Sequence, residues 1–551
     1  MSYIKKYNIY VIFFFIFCLR LFGADYGLPF FLVSDEEVVV GSALKMLQLK
    51  SIFPILYEEE MKMLIYPPFL PIITLVGILP FFLFLYIKNG FPEISEFNNI
   101  CLNNIEFFFL GARISNIFFN LLIMILIYKI CCLLFNSKRI ATFSIIFLAT
   151  DFTFNLTGHF VRHWNLTTLL IWITIFFTLK LYYSNNFKNY FYASISSGIG
   201  FGTSYVFGGF GFLFLAILHF LKNKIRNLKK ITFGLIIFLS ISLISIIMHP
   251  NSFLRLIVKN ETNVTALYLN RNFLNTIHYY LECMFLLNPV LVLITIFSVF
   301  YCFYKKLFLS KIFLFFLIFI MFIVLLHLTV QNEHRYLMPV IPCLAIISSI
   351  GLNEILKNKK YSFQIFIVIF LLSYSFIVSF YSSYLLSQKD TRIQALEWIK
   401  NNAESNSKIA NGMKNININK MSKQSKAKNT VKNNLIGMNK YNLREKFSFI
   451  NISDSFINTK SNSNLLEFLI SNKFDYVLID YKYKENKHYR ISKDFYSELN
   501  NSFFIEKKIE SSFSFLSTPD LQSTEGFKFP IYKIFKFNSF GPTVEIYKFK
   551  G

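Results

Sequence analysis

Residues 27–46 read GLPFFLVSDEEVVVGSALKM. They follow the first hydrophobic run, Tyr7 to Phe22, and place three consecutive acids, Asp35, Glu36 and Glu37, where the chain first leaves it. Ser34 with Glu37 three residues on fits a capping box, which predicts a helix start. Val40, Ala43, Leu44 and Leu47 recur at helical spacing and give that helix one apolar stripe. It is too short and too charged to span a bilayer, so it reads as a surface helix. Acids in a first turn also offset the helix dipole with no further purpose. The rest of the chain decides between that reading and a reactive carboxylate.

The 551 residues are 54% hydrophobic and 16% charged, whereas soluble domains carry roughly 25% charged residues. The fold class is therefore a polytopic α-helical membrane protein. The net charge of +25 does not point to nucleic acid, because Lys and Arg collect in the cytoplasmic loops of membrane proteins. Seven scattered cysteines without a CxxC pair indicate neither a zinc site nor a disulfide framework.

Hydrophobic runs predict about 11 spans, over residues 7–23, 110–135, 140–157, 166–183, 190–206, 207–221, 231–248, 286–304, 311–329, 337–355 and 363–386. A twelfth run, 69–87, is apolar enough to cross but carries Pro71 and Pro80. Charge decides its placement. If it stays on the outer side, Lys138–Arg139, Lys222 to Lys230, Lys305–Lys306 and Lys357 to Lys360 all fall inside, as the positive-inside rule requires. The N-terminus is then cytoplasmic and everything after Ser387 extracytoplasmic. This divides the chain into a membrane module, 1–387, with a first outer loop, 24–109, and a small α/β domain, 388–551. Within that domain, 388–400 predicts an amphipathic helix and 401–464 a Lys/Asn/Ser-rich insertion. Strands are predicted at 474–480, near 529–536 and at 543–549.

On this topology, polar residues that are costly in a membrane gather at the outer boundary. They are Asp35 and Glu36, Tyr66-Pro67-Pro68, Arg113, His159, Arg162, His163, Arg255, Arg271, His278 and His334-Arg335-Tyr336. Arg and His hold phosphate, Arg through paired hydrogen bonds, and a carboxylate accepts a proton from a hydroxyl. The plain alternative for Arg113, Arg255 and Arg271 is snorkelling to headgroups. No HExxH spacing occurs, so a divalent metal is not indicated and no metal ligands are assigned. The glycine-rich stretch 198–211 reads as close helix packing rather than a phosphate loop.

The order of these landmarks resembles the GT-C superfamily of membrane glycosyltransferases, in its protein O-mannosyltransferase and aminoarabinose-transferase-like branch. The landmarks are Asp35-Glu36 after the first span, Tyr66-Pro67-Pro68, GARISNIFFNLL around Arg113, FVRHWN, GIGFGTSY, EHRYLMPVIP and DTRIQALEWI. The resemblance implies a polyprenyl-phosphate-linked sugar donor, with a hexosyl or pentosyl group moved outside the cytoplasm to a protein, lipid or glycan acceptor with inversion. It implies Asp35 as general base. Glu36 is expected to raise the proton affinity of Asp35 as a like charge. Tyr66, Arg113, His159, Arg162, His163, His334, Arg335 and Tyr336 are the expected substrate-binding groups. The chain departs from the aminoarabinose-type pattern in carrying Tyr66 in place of a Lys, Asn165 in place of an Asp and Thr203-Ser204-Tyr205 in place of a Thr-Lys-Tyr stretch. Arg162 and Arg335 are then left to supply the charge against phosphate. A transporter or flippase of a lipid-linked precursor, or an inactive scaffold, are the rival readings. A transporter predicts inverted repeats and broken helices at the midplane, whereas here the polar residues gather at one face.

Overall fold

The structure is a computed structural model that describes residues 2–30, 32–33, 35–61, 64–181, 183–184, 186–223, 227–257, 272–327, 334–413, 443–451, 462–480, 499–510 and 531–550. Among the described residues, the membrane module is built of helices and turns, with no strand. Its first half contains α1 (Ser2–Leu21), α2 (Glu36–Gln48), α3 (Phe69–Lys88), α4 (Ile94–Asn103), α5 (Ile105–Phe135), α6 (Lys138–Thr150), α7 (Phe152–Gly158), α8 (His163–Lys180) and α9 (Phe187–Phe201). The second half contains α10 (Phe210–Asn223), α11 (Leu228–Met248), α12 (Pro250–Ile257), α13 (Phe273–Leu287), α14 (Pro289–Tyr304), α15 (Leu309–His327), α16 (Ile341–Leu356) and α17 (Tyr361–Ser387).

The largest apolar core joins α5, α6, α8, α14, α15 and α16, with Trp172, Ile130, Phe315 and Ile346 fully or almost fully buried. The outward faces are apolar too. Phe300 and Phe303 on α14 and Ile369 and Phe370 on α17 are exposed, as on a surface that meets lipid tails.

Among the described residues, five helical runs can cross a bilayer by length and composition: α3, α5, α11, α15 and the run Ser362–Asn402 that begins in α17. The bent pairs α6–α7 (66°) and α13–α14 (112°) raise this to seven. The expected count of eleven is not reproduced. Tyr10–Leu21, Phe210–Lys222 and Ile341–Leu356 are apolar but shorter. The glycine-rich stretch packs closely. A Cβ on Gly202 would meet the ring of Phe69, and one on Gly200 the carbonyl of Gly208 at 2.8 Å.

After α17 come α18 (Thr391–Asn402), α19 (Leu443–Lys446) and α20 (Asn462–Ser471), and a five-stranded sheet. Its strands are β1 (Lys408–Gly412), β2 (Ser448–Asn451), β3 (Tyr476–Asp480), β4 (Phe503–Ile509) and β5 (Val544–Phe549), in the order β2-β1-β3-β5-β4. β1 runs parallel to β2 and β3, while β5 runs antiparallel to β3 and β4. Two sequence expectations change. Residues 401–464 contain β1 and β2, so that segment contributes to the sheet. The strand expected near 529–536 is a 3-10 turn, Ile531–Lys536. Ile531, Ile534 and Phe537 are buried, a period of three that matches 3-10 geometry and not the alternation of a strand. That turn packs against α17 and the first loop in one apolar cluster with Tyr26, Val33, Leu385 and Leu386.

Candidate active site

The helix predicted after the acids is α2, and its start differs from the capping-box expectation. It begins at Glu36, and Asp35 occupies the N-cap with φ 68° and no side-chain cap bond. Ser34 lies outside the described residues. The buried seam is Val39, Val40, Ala43 and Met46, with Leu44 and Leu47 only partly buried. Asp tolerates the left-handed region better than most residues, but it is uncommon there, and such strain clusters at functional sites. The consequence is that the Asp35 carboxylate turns away from the helix amides. It stands 3.7 Å from the guanidinium of Arg162, with a third of the side chain exposed. The Tyr66 phenol lies beside it. Burial first, and then the Asp35 charge, push the Tyr66 phenol well above its ordinary pKa, so Tyr66 stays protonated and remains a donor.

Glu36 is oriented the other way. Its carboxylate is fully buried, bonded to Arg113 Nη2 at 2.6 Å and Nε at 3.1 Å, and it accepts the Val161 N–H at 2.7 Å. Arg113 Nη1 donates to the carbonyls of Ala24 and Tyr26, both at 2.8 Å. Two expectations are corrected here. Glu36 does not act on Asp35 as an uncompensated like charge, because Arg113 neutralises it. Arg113 does not snorkel, and its guanidinium is spent on Glu36 and two carbonyls rather than on a substrate.

Arg113, Asn116 and Asn120 share one face of α5, at i, i+3 and i+7. Asn116 donates to the Phe160 carbonyl at 2.6 Å, and Asn120 to the Phe154 carbonyl at 3.1 Å and to Asn165 Oδ1 at 3.2 Å. Asn165 donates in turn to the Thr157 carbonyl at 2.8 Å. These three asparagines hold carbonyls of α7 and of the turn that follows it. They fix the turn that carries residues 159–163. The sequence reading singled out Arg113 and missed Asn116 and Asn120, although polar residues at i, i+3 and i+7 in an apolar helix were visible.

Within that turn, His159 faces away from the cluster. Its ring nitrogens lie 3.0 Å from the Asn155 carbonyl and 3.2 Å from that of Phe22, which leaves neither for a substrate. Arg162 is the buried N-cap of α8. The His163 ring is 5.3 Å from that of Tyr66 and 4.2 Å from that of Trp164. Trp164 stacks obliquely on Tyr336 at 4.7 Å, and Arg335 lies over the Tyr336 ring at 5.9 Å. His334 and Arg335 are buried in the turn His334–Leu337.

The structure thus brings Asp35, Tyr66, Arg162, His163 and Tyr336 into one cluster, with His334 and Arg335 on its flank. Glu36 and Arg113 lie behind it and His159 apart. Among the other boundary residues, His278 is exposed beside Glu282. Arg271 and the side chain of Arg255 lie outside the described part. Among the described residues, no three His, Cys, Asp or Glu side chains converge in a way that could hold a metal ion.

Residues 102–248 match the family model of dolichyl-phosphate-mannose-protein mannosyltransferases. That segment contains the stretch around Arg113, FVRHWN and GIGFGTSY, three of the landmarks on which the sequence resemblance rests. No curated protein sequence matches the chain. Among solved structures, ArnT from Cupriavidus metallidurans bound to undecaprenyl phosphate aligns at 12% identity and TM-score 0.47, over 91% of this chain and 96% of ArnT. The archaeal oligosaccharyltransferase AglB from Archaeoglobus fulgidus, in complex with an inhibitory peptide and a dolichol-phosphate, aligns at 11% identity and TM-score 0.43. That alignment covers 87% of this chain and 70% of AglB.

Proposed function

We propose that this chain is an integral membrane glycosyltransferase of the GT-C type, transferring a sugar from a polyprenyl-phosphate carrier to an acceptor hydroxyl outside the cytoplasm. The observation that carries this reading is the Asp35 carboxylate. It is partly exposed, released from helix capping, and set against Arg162, Tyr66 and His163 in one partly buried cluster. The family match over residues 102–248 supports the same class of reaction.

In this mechanism Asp35 takes the proton of the acceptor hydroxyl as its oxygen attacks the anomeric carbon. The bond between that carbon and the phosphate oxygen breaks, and the lipid phosphate leaves with the electron pair. Attack opposite the leaving group inverts the anomeric centre. Arg162 and Arg335 offset the charge that grows on the phosphate, and the His163 ring offers it a hydrogen bond, so no separate acid is required. Tyr66 lies beside the Asp35 carboxylate and restrains its orientation until the acceptor arrives. The broken pair α6–α7 is a feature that transporters share. Here, however, the polar groups around α7 are occupied by its own carbonyls, which favours a fixed scaffold over a moving gate.

The test is to incubate the purified protein with polyprenyl-phosphate hexoses and pentoses and a panel of hydroxyl acceptors. Wild-type protein is expected to consume one donor and release the lipid phosphate, and Asp35→Asn to do neither. If wild-type protein binds a lipid-linked sugar, consumes none with any acceptor and moves it across vesicles, the transporter reading replaces this one.

A further inference from the structure

The C-terminal domain and the loop that carries Asp35 share a core. Phe30 and Leu32, from the first outer loop, are buried among Ile393, Leu396 and Ile399 of α18 and residues of the sheet. Leu32 is three positions from Asp35.

A polar path runs beside this core. Asp390, the N-cap of α18, is fully buried. Its Oδ1 accepts from Arg392 N at 2.9 Å and Nε at 2.7 Å, and its Oδ2 from Arg392 Nη2 at 2.7 Å and the Tyr26 hydroxyl at 2.6 Å. The Tyr26 ring lies between Phe160 and Phe540, at 6.2 Å and 6.1 Å. Its backbone carbonyl accepts from Arg113. Arg113 holds Glu36, and Glu36 holds the Val161 N–H. Glu36 is the neighbour of Asp35, and Val161 the neighbour of Arg162. The approach to β5 closes over Asp390: Gly541 has φ +109°, and a Cβ there would come within 2.7 Å of Asp390 Oδ1.

We propose that Tyr26 and Asp390 are positioning residues, through which the C-terminal domain sets the spacing between Asp35 and Arg162. The proposal rests on the glycosyltransferase reading above. An extracytoplasmic domain attached for acceptor capture alone would need no residue of the first loop in its core. Nor would it need a buried carboxylate aimed at a tyrosine whose carbonyl is held by Arg113. In this architecture, moving the domain moves the loop between α1 and α2. The distance between candidate base and candidate phosphate clamp then depends on a docked domain.

The control is built into the same interface. The Tyr381 hydroxyl donates to the Phe537 carbonyl at 2.6 Å. It too joins the membrane module to the C-terminal segment, but it is not on the path to Arg113. Tyr26→Phe and Tyr381→Phe delete the same atom from the same interface. In the full-length protein, Tyr26→Phe is expected to lower kcat about tenfold, the scale of one buried hydrogen bond to a charged group, and to leave lipid-phosphate affinity unchanged. Tyr381→Phe is expected to keep wild-type kcat. Equal kcat losses in the two variants, or none in Tyr26→Phe, overturn the proposal.

Amide hydrogen exchange provides a readout that does not require turnover. Peptides covering 158–163 are expected to exchange faster in Tyr26→Phe and at the wild-type rate in Tyr381→Phe. Indistinguishable exchange in the two variants overturns the coupling. A wild-type protein that transfers no sugar removes the glycosyltransferase reading, and the exchange comparison then decides the coupling on its own.

Discussion

The carboxylate of Glu36 and the guanidinium of Arg113 form an ion pair from which both side chains are shut off from solvent, with a closest approach of 2.6 Å. It ties the start of α2 to α5 across 77 residues of sequence. Breaking a buried pair from one side leaves the other charge uncompensated and costs about 3–5 kcal/mol. Glu36→Gln and Arg113→Ala are therefore expected to lower the melting temperature and yield of the detergent-purified protein sharply. A wild-type melting curve for Glu36→Gln would mean that the pair carries little of the stability at this junction.

Asp35 is expected to behave in the opposite way. It makes no cap bond and its partner Arg162 stands at 3.7 Å, so its loss removes little of the fold. Asp35→Asn is expected to lower transfer by at least ~10²-fold, the lower end of what a positioned base contributes, with melting temperature and lipid-phosphate binding near wild type. Near-wild-type turnover in a verified transfer assay would place the base elsewhere. Glu37 is exposed in the first turn of α2, and Glu37→Gln is expected to cost under ~1 kcal/mol.

Much of this site was legible because each landmark is a polar residue in an apolar chain. Asp35, Tyr66, Arg162, His163 and Tyr336 stood out for that reason, and the structure gathers them. The division of labour between Asp35 and Glu36 was not legible. Adjacent helical residues point about 100° apart, but only the fold determines that Arg113 meets one of them. The capping box failed because Asp35 takes a left-handed conformation, which shifts the helix start by one residue. The break inside the expected span 140–157 was not legible either: a hydropathy run does not reveal that α6 ends at Asp151 and that α7 turns 66° from it. The strand expected at 529–536 failed because an apolar run of that length fits a strand and a 3-10 turn alike.

Phosphate recognition is expected to depend on Arg162 and Arg335. Arg162 sits at the N-terminus of α8, where the free amides of the first turn add to its charge. Arg335 lies over Tyr336, which Trp164 ties to the same helix. Arg162→Ala and Arg335→Ala are expected to weaken polyprenyl-phosphate binding roughly ten- to a hundredfold, the range for hydrogen bonds to a charged group. Arg335→Lys is expected to recover only part of this, since Lys lacks the planar fork. Titration calorimetry with the lipid phosphate measures it, and unchanged affinity in both Ala variants would leave these arginines as structural.

The remaining prediction is that α3 does not cross the membrane, although it is long and apolar enough to do so. The argument comes from α5. At 1.5 Å per residue its 31 residues extend about 46 Å, some 16 Å more than a hydrocarbon core of about 30 Å. The face that α3 packs against lies in the first third of α5. Ser115 Oγ donates to the Gly77 carbonyl at 3.2 Å, a Cβ on Gly111 would meet the Phe81 ring at 2.6 Å, and the Phe82 and Phe108 rings stack at 4.2 Å. That third also bears Arg113, level with the start of α2. The basic residues Lys138 and Arg139 follow the opposite end of α5, whereas Glu93, Glu96 and Glu106 flank α4. An α3 held on the outer side and packed against the first third of α5 accounts for both the packing and the charge pattern. Ser95 is exposed in α4 and suits a reporter cysteine. Cys101 is half-buried, and burial pushes its thiol up to about 11, so it reacts slowly and is best replaced. Ser95→Cys in a Cys101→Ser background is expected to react with a membrane-impermeant maleimide in intact cells. Labelling only after permeabilisation would make α3 a true span and invert every later loop, including the side on which the C-terminal domain folds.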